Sequence, residues 1–169
     1  MHITSGLMLD FSRLQRGDLT SALGGLILLV SLFLPWYGVD THATQLCGAG
    51  KDSCTAFQTF KLFTVLIIPG LDLLLPAAAL APFILVWIIA RGHKLSWPPG
   101  EVTAIVGITA SALILYNGVV DRAGEDPSLI SLKYGWFVGL VGALVLLGGA
   151  AAVQMLRGGA VRRPPGTFR

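Results

Sequence analysis

Two cysteines are the residues of this chain whose type and spacing first suggest chemistry. Cys47 and Cys54 are the only cysteines, and the six residues between them are small or polar and turn easily. An oxidising compartment favours a local disulfide, which would stabilise the folded state by roughly 2.5 kcal/mol on the chain-entropy model. Thiol redox catalysis is the alternative, but it usually needs a two-residue spacing and a second relay pair. We therefore predict a structural disulfide.

Two polar residues, Asp72 and Asn117, lie inside or at the edge of apolar segments. A carboxylate at the centre of a membrane span costs about 2.5–3.5 kcal/mol, and less near the interface. Asp72 opens its segment, where it can accept hydrogen bonds from exposed helix amides, so we favour a helix cap over a proton or cation site. Asn117, near the end of another segment, is expected to bond across to a neighbouring helix.

Other site chemistry finds little support in the sequence. The three histidines are scattered, so a zinc shell is missing, and no nucleotide loop, Ser-His-Asp set or carboxylate pair is apparent. The net charge of +3 is modest and is no signal for nucleic acid. We predict no catalytic residue, metal or cofactor, and hence no enzyme.

The elements that would position these residues are four long apolar runs. A helix needs roughly 20 apolar residues to cross about 30 Å of hydrocarbon. Mean hydropathy is +0.74, and 169 residues leave no room for a separate soluble domain. The expected fold is an all-α integral membrane bundle of four transmembrane helices in the lipid bilayer, with spans at Leu19–Tyr37, Leu71–Ala90, Val102–Val120 and Tyr134–Leu156.

Lysine and arginine predict how the chain is threaded. Eight of these residues fall in the two termini and the second connection, and four fall in the first and third connections. Because cytoplasmic segments carry the excess, both termini are expected inside the cell, in the plasma membrane. Residues 1–18 would be a cytoplasmic leader, either disordered or a short interfacial helix, and residues 157–169 a basic cytoplasmic tail. A secretory signal cut after Ala43 is an alternative.

The outer loop, residues 38–70, holds a second pattern. Apolar residues recur every three or four positions, which predicts an amphipathic helix over residues 55–68. Pro69-Gly70 then separates it from the second span. One continuous tilted helix from Leu62 to Ala90 remains the alternative.

Small residues predict the helix contacts. Gly135, Gly139 and Gly142 repeat along the fourth run, and Gly24 and Gly25 offer a matching surface in the first. Packing within the bundle is favoured, with homodimerisation as the alternative. Two prolines, at positions 76 and 82, are expected to bend the second helix. All four tryptophans lie near expected interfaces, as in an aromatic belt.

Several short motifs resemble those of small four-helix membrane proteins of actinobacterial type. They are Leu32-Phe33-Leu34-Pro35-Trp36-Tyr37, Phe57 with Phe60, Leu71-Asp72-Leu73-Leu74-Leu75 and Tyr134-Gly135. The resemblance implies the four-helix fold and brings no established activity. A likeness to claudin-type proteins is confined to the threading, an early loop Trp and a Cys pair, and the Gly-Leu-Trp before the first cysteine is missing.

These patterns favour a non-enzymatic function. The first hypothesis is a membrane scaffold or accessory subunit whose outer loop and helix faces meet a protein partner. The second is a small transporter or proton-coupled carrier that uses Asp72 and the bent second helix.

Overall fold

The computed structural model describes residues 14–39, 52–56, 71–92, 97–120 and 130–158. Within these ranges the long helices are α1 (Arg16–Ser31), α2 (Leu71–Ala90), α3 (Pro99–Leu115) and α4 (Tyr134–Gly158), and α3 continues as a π turn over Tyr116–Val120. The strands in the same ranges are β1 (Pro35–Val39), β2 (Ser53–Thr55) and β3 (Ile130–Leu132). The fold is therefore mostly helical, with a small sheet at one end.

Three helices in the described part of the chain have the length and composition of membrane spans. They cover Leu73–Ala90, Pro99–Val119 and Tyr134–Leu156, and their mean hydropathies run from 1.7 to 2.5. Large apolar side chains are exposed along them, including Ile84, Ile108 and Leu144. Exposed apolar side chains of this size are typical of helices that face lipid, since large apolar patches are disfavoured in water.

The first helix differs from the expected span at residues 19–37. It starts earlier, at Arg16, and ends at Ser31, so its 16 residues rise only about 24 Å. Its last turn tightens, because the amides of Phe33 and Leu34 donate to carbonyls three residues back, at 3.1 and 3.0 Å. Pro35 has no amide to continue the ladder and begins β1 instead. The prediction of helix through Tyr37 was wrong.

The sheet corrects the all-α prediction. Its strand order is β2-β1-β3, with both pairs antiparallel. Tyr37 is opposite Cys54 on one side and Leu132 on the other. The register shifts between Pro35 and Tyr37, so Trp36 occupies a bulge. Segments separated by some 90 residues therefore meet in one layer over the helix ends.

The helices form a closed arrangement in which α1 contacts α4 and α2, and α3 contacts α4 and α2. The α1–α4 interface is the most extensive. We call the end that carries the strands the sheet end. The other end, where α1 and α3 begin and α2 and α4 finish, is the opposite end. The main apolar core lies toward the sheet end, around Leu28, Leu32, Trp36 and Ile114.

The boundaries and the aromatic belt also need correction. Arg16 to Asp18 belong to α1 rather than to a leader, and Thr55 belongs to β2 rather than to an amphipathic helix. Residues 1–13 of the leader, residues 57–70 and the tail beyond residue 158 lie outside the described residues. Trp87 and Trp97 are exposed, as a belt requires, but Trp36 and Trp136 are buried in the protein.

Candidate functional site

A glycine seam joins α1 to α4. We use this name for Gly17, Gly24, Gly135, Gly139, Gly142 and Gly149. A Cβ atom on Gly142 would lie 2.6 Å from the backbone nitrogen of Leu28, and one on Gly24 would lie 2.7 Å from the Cα of Leu146. At these distances any side chain larger than hydrogen overlaps the neighbouring backbone. Gly135, Gly139 and Gly142, chosen from the sequence as packing residues, all lie against α1 or the segment that follows it.

Polar groups in the seam are bonded within the protein. The hydroxyl of Ser21 donates to the carbonyl of Leu146 across the interface at 3.2 Å. The hydroxyl of Ser31 donates to the carbonyl of Leu28 at 2.6 Å. Such short side chains satisfy their hydrogen bonds without separating the helices. Gly17, Gly24, Gly142 and Gly149 approach backbone atoms of the facing helix, whereas at Gly139 the seam closes on the Trp36 ring.

The α1–α2 contact is built around one proline. Gly25 faces α2, and a Cβ atom there would overlap Cγ of Pro82 and come within 2.8 Å of the Ala79 carbonyl oxygen. Pro82 is fully buried. The expected bend of α2 stays a prediction, but this proline is occupied in packing against α1.

Trp36 connects the end of α1 to the start of α4. Its indole nitrogen donates to the carbonyl of Ser31 at 2.7 Å, which satisfies a carbonyl at the helix end. Its ring lies on Gly139, where a Cβ atom would be 2.8 Å from Cζ2. The Trp36 carbonyl accepts from the amide of Lys133 at 2.8 Å. One residue thus ties β1, α1 and the segment before α4 together.

The π turn after α3 is held by two aromatic donors. The indole nitrogen of Trp136 donates to the carbonyl of Ile114 at 3.0 Å, and the hydroxyl of Tyr37 donates to the carbonyl of Asn117 at 2.9 Å. Both acceptors lie where α3 changes from α to π geometry. Gly118 leaves room for the Trp136 ring, which a Cβ atom would overlap. Asn117 is buried here, and its backbone carbonyl accepts the Tyr37 hydrogen bond, while the expected bond of its side chain to a neighbouring helix stays a prediction.

The remaining sequence candidates are placed differently. Cys54 is buried at the centre of β2, and no cysteine in the described ranges is free. Cys47 lies outside the described residues, so its pairing stays a prediction. Asp72 is the second residue of α2 and so lies in its first turn rather than at the N-cap, and its side chain is outside the described part of the structure, so the cap stays a prediction.

At the opposite end, Asp18 is part of a helix-start motif. It is the third residue of α1, and its carboxylate accepts from the amide of Gln15 at 3.0 Å. Gln154 of α4 donates to the carbonyl of Gly100 at 3.2 Å, which joins α4 to the start of α3.

The polar groups of the described helices bond mainly to backbone carbonyls. Within the described ranges, no group of three His, Cys, Asp or Glu residues could hold a metal ion. The hydroxyls of Thr103, Thr109 and Ser111 each donate to a carbonyl of their own helix, four residues back. They therefore do not make a continuous polar lining along α3.

Comparison with known proteins returns no relative. No family model, curated protein or solved structure matches this chain. Its function has to be argued from its own contacts.

Sequence reasoning missed the aromatic network at the sheet end. The sequence placed the tryptophans at membrane interfaces. In the structure, the side chains of Trp36, Tyr37 and Trp136 donate hydrogen bonds to backbone carbonyls at the sheet end. A signal was present in the chain, because Pro35-Trp36-Tyr37-Gly38-Val39 combines a helix breaker with strand-forming residues.

Proposed function

We propose that this protein is a multi-pass protein of the plasma membrane that acts, without catalysis, as a scaffold or accessory subunit. In this proposal the sheet end lies outside the cell and both termini lie in the cytoplasm. The excess of lysine and arginine at the opposite end supports that orientation. The resemblance to actinobacterial four-helix proteins belongs to the same proposal and contributes a fold rather than an activity.

The observation that carries the proposal is the glycine seam together with the sheet. Backbone lies against backbone at Gly17 with Gly149 and at Gly135 with Pro35, and between them Gly139 packs against the Trp36 ring. Alternating access requires helices to move against one another. A seam this close, closed at its end by three strands, favours a rigid platform that presents the sheet end to a partner.

The outer loop is part of that platform. We propose that Cys54 is joined to Cys47 in a disulfide, which would tie the loop to the edge strand β2. Cys54 is buried, is not free, and lies opposite Tyr37 in the sheet. An extracellular position supplies the oxidising conditions that such a bond needs.

Site-specific crosslinking tests the partner interaction. A photo-crosslinking residue at Ser131, exposed in β3, should capture one protein reproducibly in native membranes. The matched control at Leu144, exposed in the middle of α4, should yield lipid adducts. Adducts that join two copies of the chain at Ser131 would identify the partner as a second copy, in a homodimer. A scaffold role through this end would be overturned if Ser131 gave no protein adduct.

The competing function is a small transporter or proton-coupled carrier that uses Asp72. Its support is the position of that carboxylate at the start of a proline-containing helix. Flux into liposomes containing the purified protein separates the two functions. Transport that disappears in Asp72→Asn supports the carrier, whereas equal flux in protein-containing and empty liposomes supports the scaffold.

A further inference from the structure

The two ends of the bundle differ in charge. With the proposed threading, the opposite end and its connected segments hold eight Lys or Arg and three Asp or Glu, a net charge of +5. The sheet end and its connected segments hold four Lys or Arg and six Asp or Glu, a net charge of −2. A basic end next to a bilayer attracts anionic headgroups. That this basic end lies at the cytoplasmic leaflet rests on the proposed function.

Arg91 is held in a defined position at the end of α2. Its amide donates to the carbonyl of Trp87 at 3.1 Å, so it continues the last helical turn. Gly92 then ends the helix with a φ of 74°, and its amide donates to the carbonyl of Ile89 at 2.9 Å. This left-handed glycine is a common helix C-terminus. The backbone of Arg91 is therefore fixed on both sides.

The side chain of Arg91 is stacked on an aromatic ring. Its guanidinium carbon lies 4.1 Å from the centroid of the Trp87 ring, one helical turn earlier. The contact is a cation–π interaction, which places the guanidinium over the indole ring. Trp87 itself is 50% exposed. Tryptophan is enriched at the level of the lipid headgroups, and Trp87 lies near the end of a helix long enough to span a bilayer.

The positive charge of Arg91 is not neutralised by a nearby described carboxylate. Within the described ranges, its side-chain interaction is the contact with Trp87. Asp18 is buried and accepts from the Gln15 amide, and Glu101 lies exposed in the first turn of α3. The carbonyls at the end of α2 carry only partial negative charge and favour a cation beside them.

We propose that Arg91 and Trp87 form a binding site for the headgroup of an anionic phospholipid in the cytoplasmic leaflet. The guanidinium fork binds the phosphate through two N–H groups, and the exposed face of the indole packs on the glycerol and upper acyl chain. A free phosphate ion would use only the first contact. The exposed indole beside the guanidinium therefore selects the lipid as the occupant.

Fluorescence quenching by brominated lipids tests this site. The full chain carrying Trp97→Phe is placed in nanodiscs with equal fractions of brominated phosphatidylglycerol or brominated phosphatidylcholine. The fluorescence of Trp87 is obtained by subtracting the signal of the protein that carries both Trp97→Phe and Trp87→Phe from the signal of the protein that carries Trp97→Phe alone. Phosphatidylglycerol should associate with the Arg91–Trp87 site about fivefold more strongly than phosphatidylcholine, as expected for one basic residue at the surface. Arg91→Gln should bring that ratio close to 1.

A second arginine at the same end provides the matched control. Arg16→Gln removes one exposed positive charge from the start of α1 and should leave the preference at Trp87 unchanged. Equal quenching by both lipids in the Arg91 protein would overturn the site and leave the membrane placement intact. If Arg91→Gln and Arg16→Gln reduced the phosphatidylglycerol preference equally, the specific site would be overturned, because general surface charge would explain the preference. If neither brominated lipid quenched Trp87, this residue would not lie near lipid, and the proposed membrane placement would be overturned.

Discussion

The hydroxyl of Tyr37 donates a hydrogen bond of 2.9 Å to the backbone carbonyl of Asn117, 80 residues further along the chain. It joins the central strand β1 to the π turn that extends α3. Both residues are buried, so neither group can turn to water when the bond is lost. This contact makes the sheet part of the helix bundle rather than a loose appendage of the loops.

Tyr37→Phe should therefore destabilise the protein. The carbonyl of Asn117 loses a buried donor, which costs about 1–3 kcal/mol. In detergent, thermal unfolding followed by circular dichroism should shift down by roughly 2–4 °C per kcal/mol. Tyr134→Phe is the control, because that side chain is 57% exposed at the start of α4. Equal midpoints for both variants would contradict the role given to this hydrogen bond.

Two helices were predictable almost to the residue. The apolar run Leu71–Ala90 is α2 with the same ends, and α4 extends the run Tyr134–Leu156 by two residues. In both segments the length suits a bilayer span and no strong breaker competes inside the run, apart from prolines that membrane helices tolerate. Hydropathy alone is sufficient in such cases.

The end of α1 shows where hydropathy fails. The run from Leu19 to Tyr37 carries no charged residue, yet its last part becomes strand β1 because Ser53–Thr55 and Ile130–Leu132 supply partners from distant segments. A buried strand and a buried helix can have the same composition. The aromatic residues were misplaced for the same reason, since burial of Trp36 depends on Gly139 and not on its own neighbours in the sequence.

The glycine seam leads to a matched pair of substitutions. Gly142→Ala places a methyl group 2.6 Å from the backbone nitrogen of Leu28, and overpacking of this kind costs about 1–3 kcal/mol. Gly148→Ala has no neighbouring atom within 4 Å and should leave stability unchanged or slightly raised, since alanine favours the helix. Thermal unfolding midpoints of the two purified variants compare them directly. A Gly142 variant as stable as the Gly148 variant would contradict the seam.

The contact between Trp36 and Gly139 should appear as energetic coupling. Trp36→Phe removes the 2.7 Å hydrogen bond to Ser31 and part of a buried ring, so it should destabilise the protein. Gly139→Ala should also destabilise it, because its methyl group would meet that ring at 2.8 Å. The smaller ring of phenylalanine leaves space for the methyl group. We therefore expect the double variant to lose less stability than the two single losses added together.

The control for this cycle is Trp97→Phe, since Trp97 is 60% exposed. When Trp97→Phe is combined with Gly139→Ala, the loss in free energy of unfolding should equal the sum of the two single losses. Chemical denaturation in detergent, followed by circular dichroism, measures all variants in one solvent. Additivity between Trp36 and Gly139 would show that the two residues do not share the contact.

The proposed disulfide can be separated from the burial of its second cysteine. Cys54 is buried, so Cys54→Ser would cost stability even if the thiol were unpaired. Cys47→Ser isolates the crosslink, and it should lower the free energy of unfolding by roughly 2.5 kcal/mol in oxidised protein. After reduction, wild type and Cys47→Ser should unfold at the same midpoint. Maleimide should label denatured wild type only after reduction, whereas oxidised Cys47→Ser that kept full stability would argue against a bond between these residues.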